Sequence, residues 1–184
     1  MLRVISGIYK SRKLKEVKTD STRPTTDKNK EVLFNTLGQF FDGGKAVDLF
    51  AGSGALGIEA LSRGFQTCDF IENSFQVVKV IKENLMSLDI KSDVGNVFKQ
   101  DAFKFLETTS NRYDLIIADP PYKLNRYEDL LNIIASRQLL SDNGIIVLES
   151  ENTLSLPRSY QDLIVFKEKE LGYSKFTLYQ KKEI

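Results

Sequence analysis

From residue 45 onward, short apolar runs alternate with stretches in which apolar residues recur every three or four positions. The run at 46–50 (AVDLF) predicts a first strand ending at a glycine cluster, and 55–63 has helical spacing through Leu56, Ala60 and Leu61, closed by Gly64. A second strand follows at 67–71. Val77, Val78, Ile81, Leu85 and Leu88 then make 74–88 an amphipathic helix with Ser74 at its N-cap. Strands are expected at 94–99 and 113–118, with a short helix at 102–107 between them. After a Pro-Pro break come a helix at 127–137, a Ser-Asp-Asn-Gly turn at 141–144 and a strand at 145–148. Two further strands, 163–167 and 176–180, fit an antiparallel edge.

Repeated strand–helix alternation predicts an α/β fold of Rossmann-like, doubly wound type: a mostly parallel sheet of seven strands with an antiparallel edge strand. Such sheets carry ligands at the carboxyl ends of their strands. The first 44 residues differ in style. Residues 3–14 alternate loosely around Gly7, as a hairpin would; a Thr-rich turn occupies 21–26, and a helix is expected from 27 to 37. With no flexible linker and no repeat, 1–44 is expected to be a basic hairpin and helix packed on a main domain at 45–184.

Charge adds to this division. The chain of 184 residues carries a net +1, but residues 1–30 hold nine Lys/Arg against three Asp/Glu. A nucleic-acid-binding arm has this asymmetry, and so does a solvated basic terminus. Composition excludes more than it suggests. There is no histidine and one cysteine, Cys68, so imidazole catalysis, a disulfide framework, a Cys-rich zinc site and a thiol redox pair all lack their residues. No metal is expected. No stretch approaches the ~18 apolar residues of a membrane span, and no apolar leader follows Met1. A cytoplasmic monomer is the expectation.

Three groups of residues carry chemistry. Gly52 to Gly57 satisfies G-x-G-x-x-G at a strand–helix junction, and Glu72 lies 20 residues past Gly52 at the end of the second strand. Glycines let the backbone approach a ligand, and an acid at that distance grips ribose hydroxyls. Dinucleotides and S-adenosylmethionine share this much. Asp48, just ahead of the loop, would repel a pyrophosphate on the helix N-terminus but favours an ammonium and a sulfonium. Gly57 alternatively serves only helix packing, and Asp48 only caps the loop. Asp101, with Ala102, follows the third strand, where an adenine edge is met; an N-cap is an equally adequate reading and is compatible with it.

Asp119-Pro120-Pro121-Tyr122 closes the fourth strand. Two prolines fix two φ angles and remove two donors, leaving the Pro120 carbonyl a rigid acceptor. Asp119 is a second acceptor, and Tyr122 offers a flat π-face. The three match an exocyclic base amine, which has two N–H donors on a planar ring. Accepting both bonds stabilises the positive charge that develops as such a nitrogen attacks.

Taken together, these residues resemble the class I S-adenosylmethionine-dependent methyltransferases. More narrowly, the chain resembles the RsmD-type bacterial enzymes that methylate guanine N2 in 16S ribosomal RNA. The resemblance rests on Arg3-Val4-Ile5-Ser6-Gly7 with Arg12-Lys13-Leu14, on Arg23-Pro24-Thr25-Thr26-Asp27 through Asn35, on Asp48 through Gly64, and on Asp119-Pro120-Pro121-Tyr122. It implies that Asp48, Phe50, Ala51, Gly52 and Gly54 hold the methionine end of S-adenosylmethionine, that Glu72 takes the ribose, and that Asp101 and Ala102 take the adenine. It further implies that Asp119 and the Pro120 carbonyl receive the guanine amine while Tyr122 stacks on the base. Arg3, Lys10, Arg12, Lys13 and Arg23 would contact RNA, mostly at phosphates, in the assembled small subunit. The chain departs from the family pattern in carrying Ser6 and Ser11 where members usually carry Gly.

Rivals are an adenine-N6 methyltransferase of DNA or RNA, which shares Asp-Pro-Pro-Tyr but usually adds a recognition region; a nicotinamide oxidoreductase, which leaves that motif unexplained; and an RNA-binding domain without turnover. Glu149 ends a strand near the expected cleft and has no assigned role.

Overall fold

The computed structural model describes residues 1–17 and 26–183. Chain order runs β1 (Leu2–Arg3), β2 (Lys13–Leu14), α1 (Asp27–Leu37), β3 (Lys45–Leu49), α2 (Ala55–Ser62), β4 (Thr67–Glu72), α3 (Phe75–Ser87), β5 (Gly95–Lys99), α4 (Ala102–Thr108), β6 (Tyr113–Ala118), a 3-10 turn (Tyr122–Leu124), α5 (Tyr127–Ser136), β7 (Leu140–Glu151), β8 (Ser159–Tyr160), β9 (Leu163–Glu170) and β10 (Ser174–Lys181). The main sheet has the order β5-β4-β3-β6-β7-β10-β9-β8, and β1 and β2 form a separate antiparallel pair. The first five strands are parallel; β10 joins β7 antiparallel, and β9 and β8 continue antiparallel.

The sheet therefore has eight strands rather than seven. The extra strand, Ser159–Tyr160, makes two rungs with β9 and is too short to carry a period. A second difference lies at 141–144, where a turn was expected. β7 runs unbroken through this segment, and its register with β6 jumps from Tyr113↔Leu140 to Leu115↔Ile145. The surplus residues bulge out of the strand. Both flanks are buried in the core, and Arg112 and Lys181 hold Asp142 at 3.2 and 2.9 Å, so the segment stays in the sheet.

Alternation along the strands sends residues to two cores. Ala46, Cys68, Phe70, Leu115, Ile117 and Val147 pack under α1, α2 and α3. Val47, Leu49, Ile71, Ile116, Ala118 and Leu148 pack under α4 and α5. All eight residues of α2 are buried, which is why its apolar pattern shows no clear face.

The N-terminal segment is tied to this body through both apolar and buried polar contacts. Leu2, Val4 and Leu14 belong to the α1–α3 core. Glu59, fully buried on α2, accepts from Ile5 N at 2.9 Å, Ser6 N at 3.0 Å and Arg63 Nε at 2.8 Å. Buried Lys30 of α1 stands 4.0 Å from the same carboxylate and donates to the Arg3 carbonyl. Gly7 has φ +86°, and a Cβ there would lie 1.8 Å from the Ser62 carbonyl oxygen. Ser11 adopts φ +67°, a left-handed conformation that a side chain disfavours.

β4 and β5 lie on one side of β3, and β6 returns to its other side. The crevice beyond the carboxyl ends of β3 and β6 is thus the topological switch point of the sheet, where ligands of open α/β sheets settle.

Candidate active site

The loop after β3 is shaped by backbone conformation. Phe50, Gly52 and Gly54 all have positive φ, at +57°, +55° and +80°. Ala51 N donates to the Ile71 carbonyl at 3.0 Å, and Gly54 N closes back on the Ala51 carbonyl at 2.8 Å. A Cβ on Gly52 would meet nothing within 4 Å, so the loop is open above that residue. Gly57 differs: a Cβ there would lie 2.4 Å from the Phe70 ring and 2.8 Å from Cys68 Sγ. Its lack of a side chain lets α2 settle on β4.

Asp48 is buried, and its Oδ2 accepts from Gly57 N at 2.9 Å. It satisfies an N–H in the first turn of α2, whose own N-cap residue, Gly54, has no side chain to do so. Burial drives its pKa up to about 8; the Gly57 N–H pulls it down, and the Glu72 charge adds a smaller push upward. The loop-capping reading of Asp48 is therefore realised.

Glu72 closes β4. Its Oε2 accepts from Gly52 N at 3.1 Å and its Oε1 from Asn73 N and Ser74 N at 2.9 and 3.1 Å. Ser74 occupies the N-cap of α3, but its side chain makes no capping bond. A carboxylate has about four lone-pair sites, so three donors orient Glu72 without exhausting it. Asp101 is the N-cap of α4, accepting from Lys104 N at 3.0 Å through Oδ1, and Ala102 is buried beside it. Next to them the Phe50 ring meets Phe103 edge-on at 6.1 Å, and the Arg126 guanidinium lies 3.9 Å above the Phe103 ring.

At the end of β6, Asp119 is half-buried and Pro120 buried, while Tyr122, in the 3-10 turn, stays 44% exposed. Ala118, the last residue of β6, registers against Leu148, so Asp119 leaves the sheet next to Glu149, which lies within β7 and pairs with Phe176 of β10. Glu149 is 5% exposed; its Oε1 accepts from Ser174 Oγ at 2.9 Å. Its Oε2 is buried with no hydrogen-bond partner among the described residues, as is the Tyr127 hydroxyl. Burial, then the Glu149 charge, then that of Asp48, hold the Asp119 pKa well above the carboxylate range. Burial likewise raises Glu149, opposed by the Ser174 bond. Tyr122 is raised by partial burial and by Glu149 and Asp119.

The structure thus brings the glycine loop, Asp48, Glu72, Asp101, Asp119, Pro120 and Tyr122 to the carboxyl edge of the sheet, with Glu149 as an unassigned neighbour. The basic candidates lie on the N-terminal segment. Lys10 and Lys13 are exposed. Arg3 is paired with Asp27 at 2.8 Å, and Arg12 donates to the Ser87 carbonyl. Arg23 lies outside the described residues, with the turn expected around it. Sequence reasoning missed the polar interior made by Lys30, Glu59, Arg63 and Asn84. Asn84 of α3 bridges the segments, donating to the Ser53 carbonyl at 2.9 Å and accepting from Lys15 N at 2.7 Å. Its one legible sign was Glu59 and Arg63 at i,i+4 within an otherwise apolar helix. Among the described residues, no three metal-ligating side chains cluster, and no helix is long and apolar enough to cross a membrane.

A family model described as conserved hypothetical protein 95 matches residues 2–180. The chain belongs to that family, the RsmD family. The RsmD-family relatives include YlbH of Bacillus subtilis, 42% identical over 184 residues and covering 98% of this chain and 100% of that one. The ribosomal RNA small subunit methyltransferase D of Haemophilus influenzae is 34% identical over 181 residues, with 97% and 93% coverage. Among solved structures, yhhF of Escherichia coli superposes with a TM-score of 0.86 at 33% identity, covering 98% of each chain. This RsmD-family chain thus shares both sequence and fold with its relatives over nearly its whole length.

Proposed function

We propose that the protein transfers a methyl group from S-adenosylmethionine to the exocyclic N2 amine of a guanine in 16S ribosomal RNA. It acts as a cytoplasmic monomer on the assembled small subunit. Membership of the RsmD family, and the name of the Haemophilus influenzae relative, support the substrate class. The observation that carries the reading is the pairing of Asp119 with the rigid Pro120 carbonyl at the switch point, beside a glycine loop that is open above Gly52.

The cofactor fits what is present. Gly52 leaves room for close approach, Glu72 is held by three backbone N–H groups at the end of β4, and Asp101 with Ala102 begins α4 next to the Phe50–Phe103 ring pair. Asp48, Phe50, Ala51, Gly52 and Gly54 would surround the methionine end, Glu72 the ribose hydroxyls, and Asp101 with Ala102 the adenine. When bound, S-adenosylmethionine supplies a methyl group already activated by its sulfonium.

The chain's own residues prepare the nucleophile. An exocyclic amine is weakly nucleophilic because its lone pair is conjugated into the ring. Asp119 and the Pro120 carbonyl accept its two N–H bonds, favour a pyramidal nitrogen and stabilise the charge that develops on it. Tyr122 stacks on the base, and its exposure leaves a face available for that purpose. A guanine inside a duplex must be unstacked to reach this edge. The exposed Lys10 and Lys13 on the hairpin, with Arg3, Arg12 and Arg23, would hold RNA phosphates.

Transfer from labelled S-adenosylmethionine, with unmodified small subunits, naked ribosomal RNA and unmethylated DNA as parallel acceptors, tests the proposal. Digestion of the product to nucleosides should place the label in N2-methylguanosine from the subunit. Label in N6-methyladenine would keep the amine chemistry and overturn the substrate.

A further inference from the structure

Glu149 has no part in the site described so far, yet it follows the last registered pair of β6 and β7, Ala118↔Leu148, as Asp119 does, and is nearly inaccessible to solvent. One oxygen is spoken for by Ser174 Oγ at 2.9 Å, and the other, Oε2, is buried with no donor among the described residues. A buried carboxylate oxygen without a donor is costly to keep, so such an atom points to a ligand that supplies one. Its charge acts on Asp119, Tyr122 and Tyr127, yet none of them donates to Oε2: Ser174, on the other oxygen, is its one side-chain donor among the described residues.

The chemistry of the bases identifies the donor. Adenine, cytosine and guanine all carry an exocyclic amine. In adenine and cytosine the ring nitrogens flanking the amine-bearing carbon present only acceptors on the pairing edge. In guanine alone the neighbouring N1 bears a hydrogen. A base whose amine is held by Asp119 and the Pro120 carbonyl presents that neighbouring position to the adjacent strand, β7, which carries Glu149.

We propose that Glu149 is the guanine-selecting residue of this site, its Oε2 accepting the N1–H of the target base while Ser174 fixes Oε1. This rests on the amine-methyltransferase reading above and deepens it, since it supplies a reason for guanine within the chain's own residues. Selection arises from what the wrong base leaves behind: a ring acceptor facing a carboxylate oxygen, both desolvated. A site built to bond a particular N–H rejects an analogue lacking it far more strongly than a merely apolar pocket could.

The test compares two bases that share the 2-amine and differ at N1. Small subunits are reconstituted on RNA carrying guanosine or 2-aminopurine riboside at the methylated position. Methyl transfer from labelled S-adenosylmethionine is then measured for the wild-type protein, Glu149→Gln and Ser174→Ala. The wild type is expected to prefer guanosine by about tenfold or more. Glu149→Gln, whose amide can donate to the 2-aminopurine N1, narrows or inverts that ratio while the affinity for S-adenosylhomocysteine stays unchanged. Ser174→Ala shifts the ratio the same way by less, and it decides the matter should Glu149→Gln melt at a markedly lower temperature. A ratio unaltered by the substitution overturns the assignment, as does equal loss of transfer to both bases. Failure of the broader reading looks different: the wild-type protein then labels neither base at this position, or labels adenine N6.

Discussion

Asp119, Asp48 and Tyr122 each occupy a setting that makes one measurement decisive. Asp119 is expected to act on the amine and not on the cofactor. Asp119→Ala should therefore bind S-adenosylhomocysteine as the wild type does while transfer falls about a hundredfold or more, the usual loss when a group poised for transition-state charge is removed; joint loss of binding and transfer would make it structural. Tyr122→Ala should raise KM for the subunit by about tenfold with a smaller change in kcat, because stacking is worth about 1–3 kcal/mol per base. Asp48 makes a prediction about pH. Its pKa rises on folding from an ordinary 3.8 to about 8, so between those values the folded protein holds the proton more tightly than the unfolded chain. Its contribution to stability is thus fully present below pH 3.8 and is lost as pH rises toward about 8. Urea denaturation of wild type and Asp48→Asn should show the wild type losing stability relative to the variant across that window, and parallel curves would place the titration elsewhere. Asp48 and the Asp-Pro-Pro-Tyr motif were legible as chemistry from their positions at strand ends. That Asp48 would spend an oxygen on Gly57 was open, because the partner lies nine residues away on a helix whose packing depends on the next strand.

At the scale of elements, α3 and α5 were recognisable because each buries one stripe, with Val78, Ile81 and Leu85 on the first and Leu130, Leu131 and Ile134 on the second. α2 was legible through the spacing of Leu56, Ala60 and Leu61 between the glycine loop and Gly64. Its complete burial was not, because over eight residues the presence or absence of a polar face does not settle what packs on it. The bulge in β7 was misread as a turn because Ser-Asp-Asn-Gly has turn chemistry, while the buried residues on either side and the ion pairs to Asp142 keep it in the sheet. Two contacts of α2 can be tested by stability. Gly57→Ala inserts a methyl group into the space of the Phe70 ring and Cys68, and should lower unfolding free energy by about 1–3 kcal/mol in urea titrations. Glu59→Ala strands the charges of Lys30 and Arg63 in the interior and removes the acceptor for Ile5 and Ser6. A loss of about 3–5 kcal/mol is expected, with faster hydrogen exchange at those two amides. A wild-type exchange pattern would show that the hairpin is held by its apolar residues alone.

Across the whole molecule, the order β5-β4-β3-β6-β7 makes one switch point, and everything proposed to bind cofactor and base lies along that edge. The basic N-terminal hairpin is fastened to the same body through the Glu59 cluster and through Asn84, which also holds the Ser53 carbonyl in the glycine loop. If that hairpin grips RNA through phosphates, Lys10→Ala and Lys13→Ala should each reduce the salt dependence of binding to small-subunit RNA by about one unit of logarithmic slope, with little change in which base is methylated. Unchanged slopes would leave both lysines as solvated surface. The sequence by itself determined the alternation of strands and helices, the punctuation by glycine and proline, and the placing of Asp48, Glu72, Asp101 and Asp119 at the ends of successive strands. These follow from local periods and fixed dihedral preferences, which neighbouring residues carry without help. Tertiary structure alone decided that Asp119 would stand beside Glu149, that Lys30 would lie buried near Glu59, and that Asp48 would be hard to ionise. The reason is physical: register joins residues far apart in the chain, and desolvation acts on a charge only once other elements have closed over it.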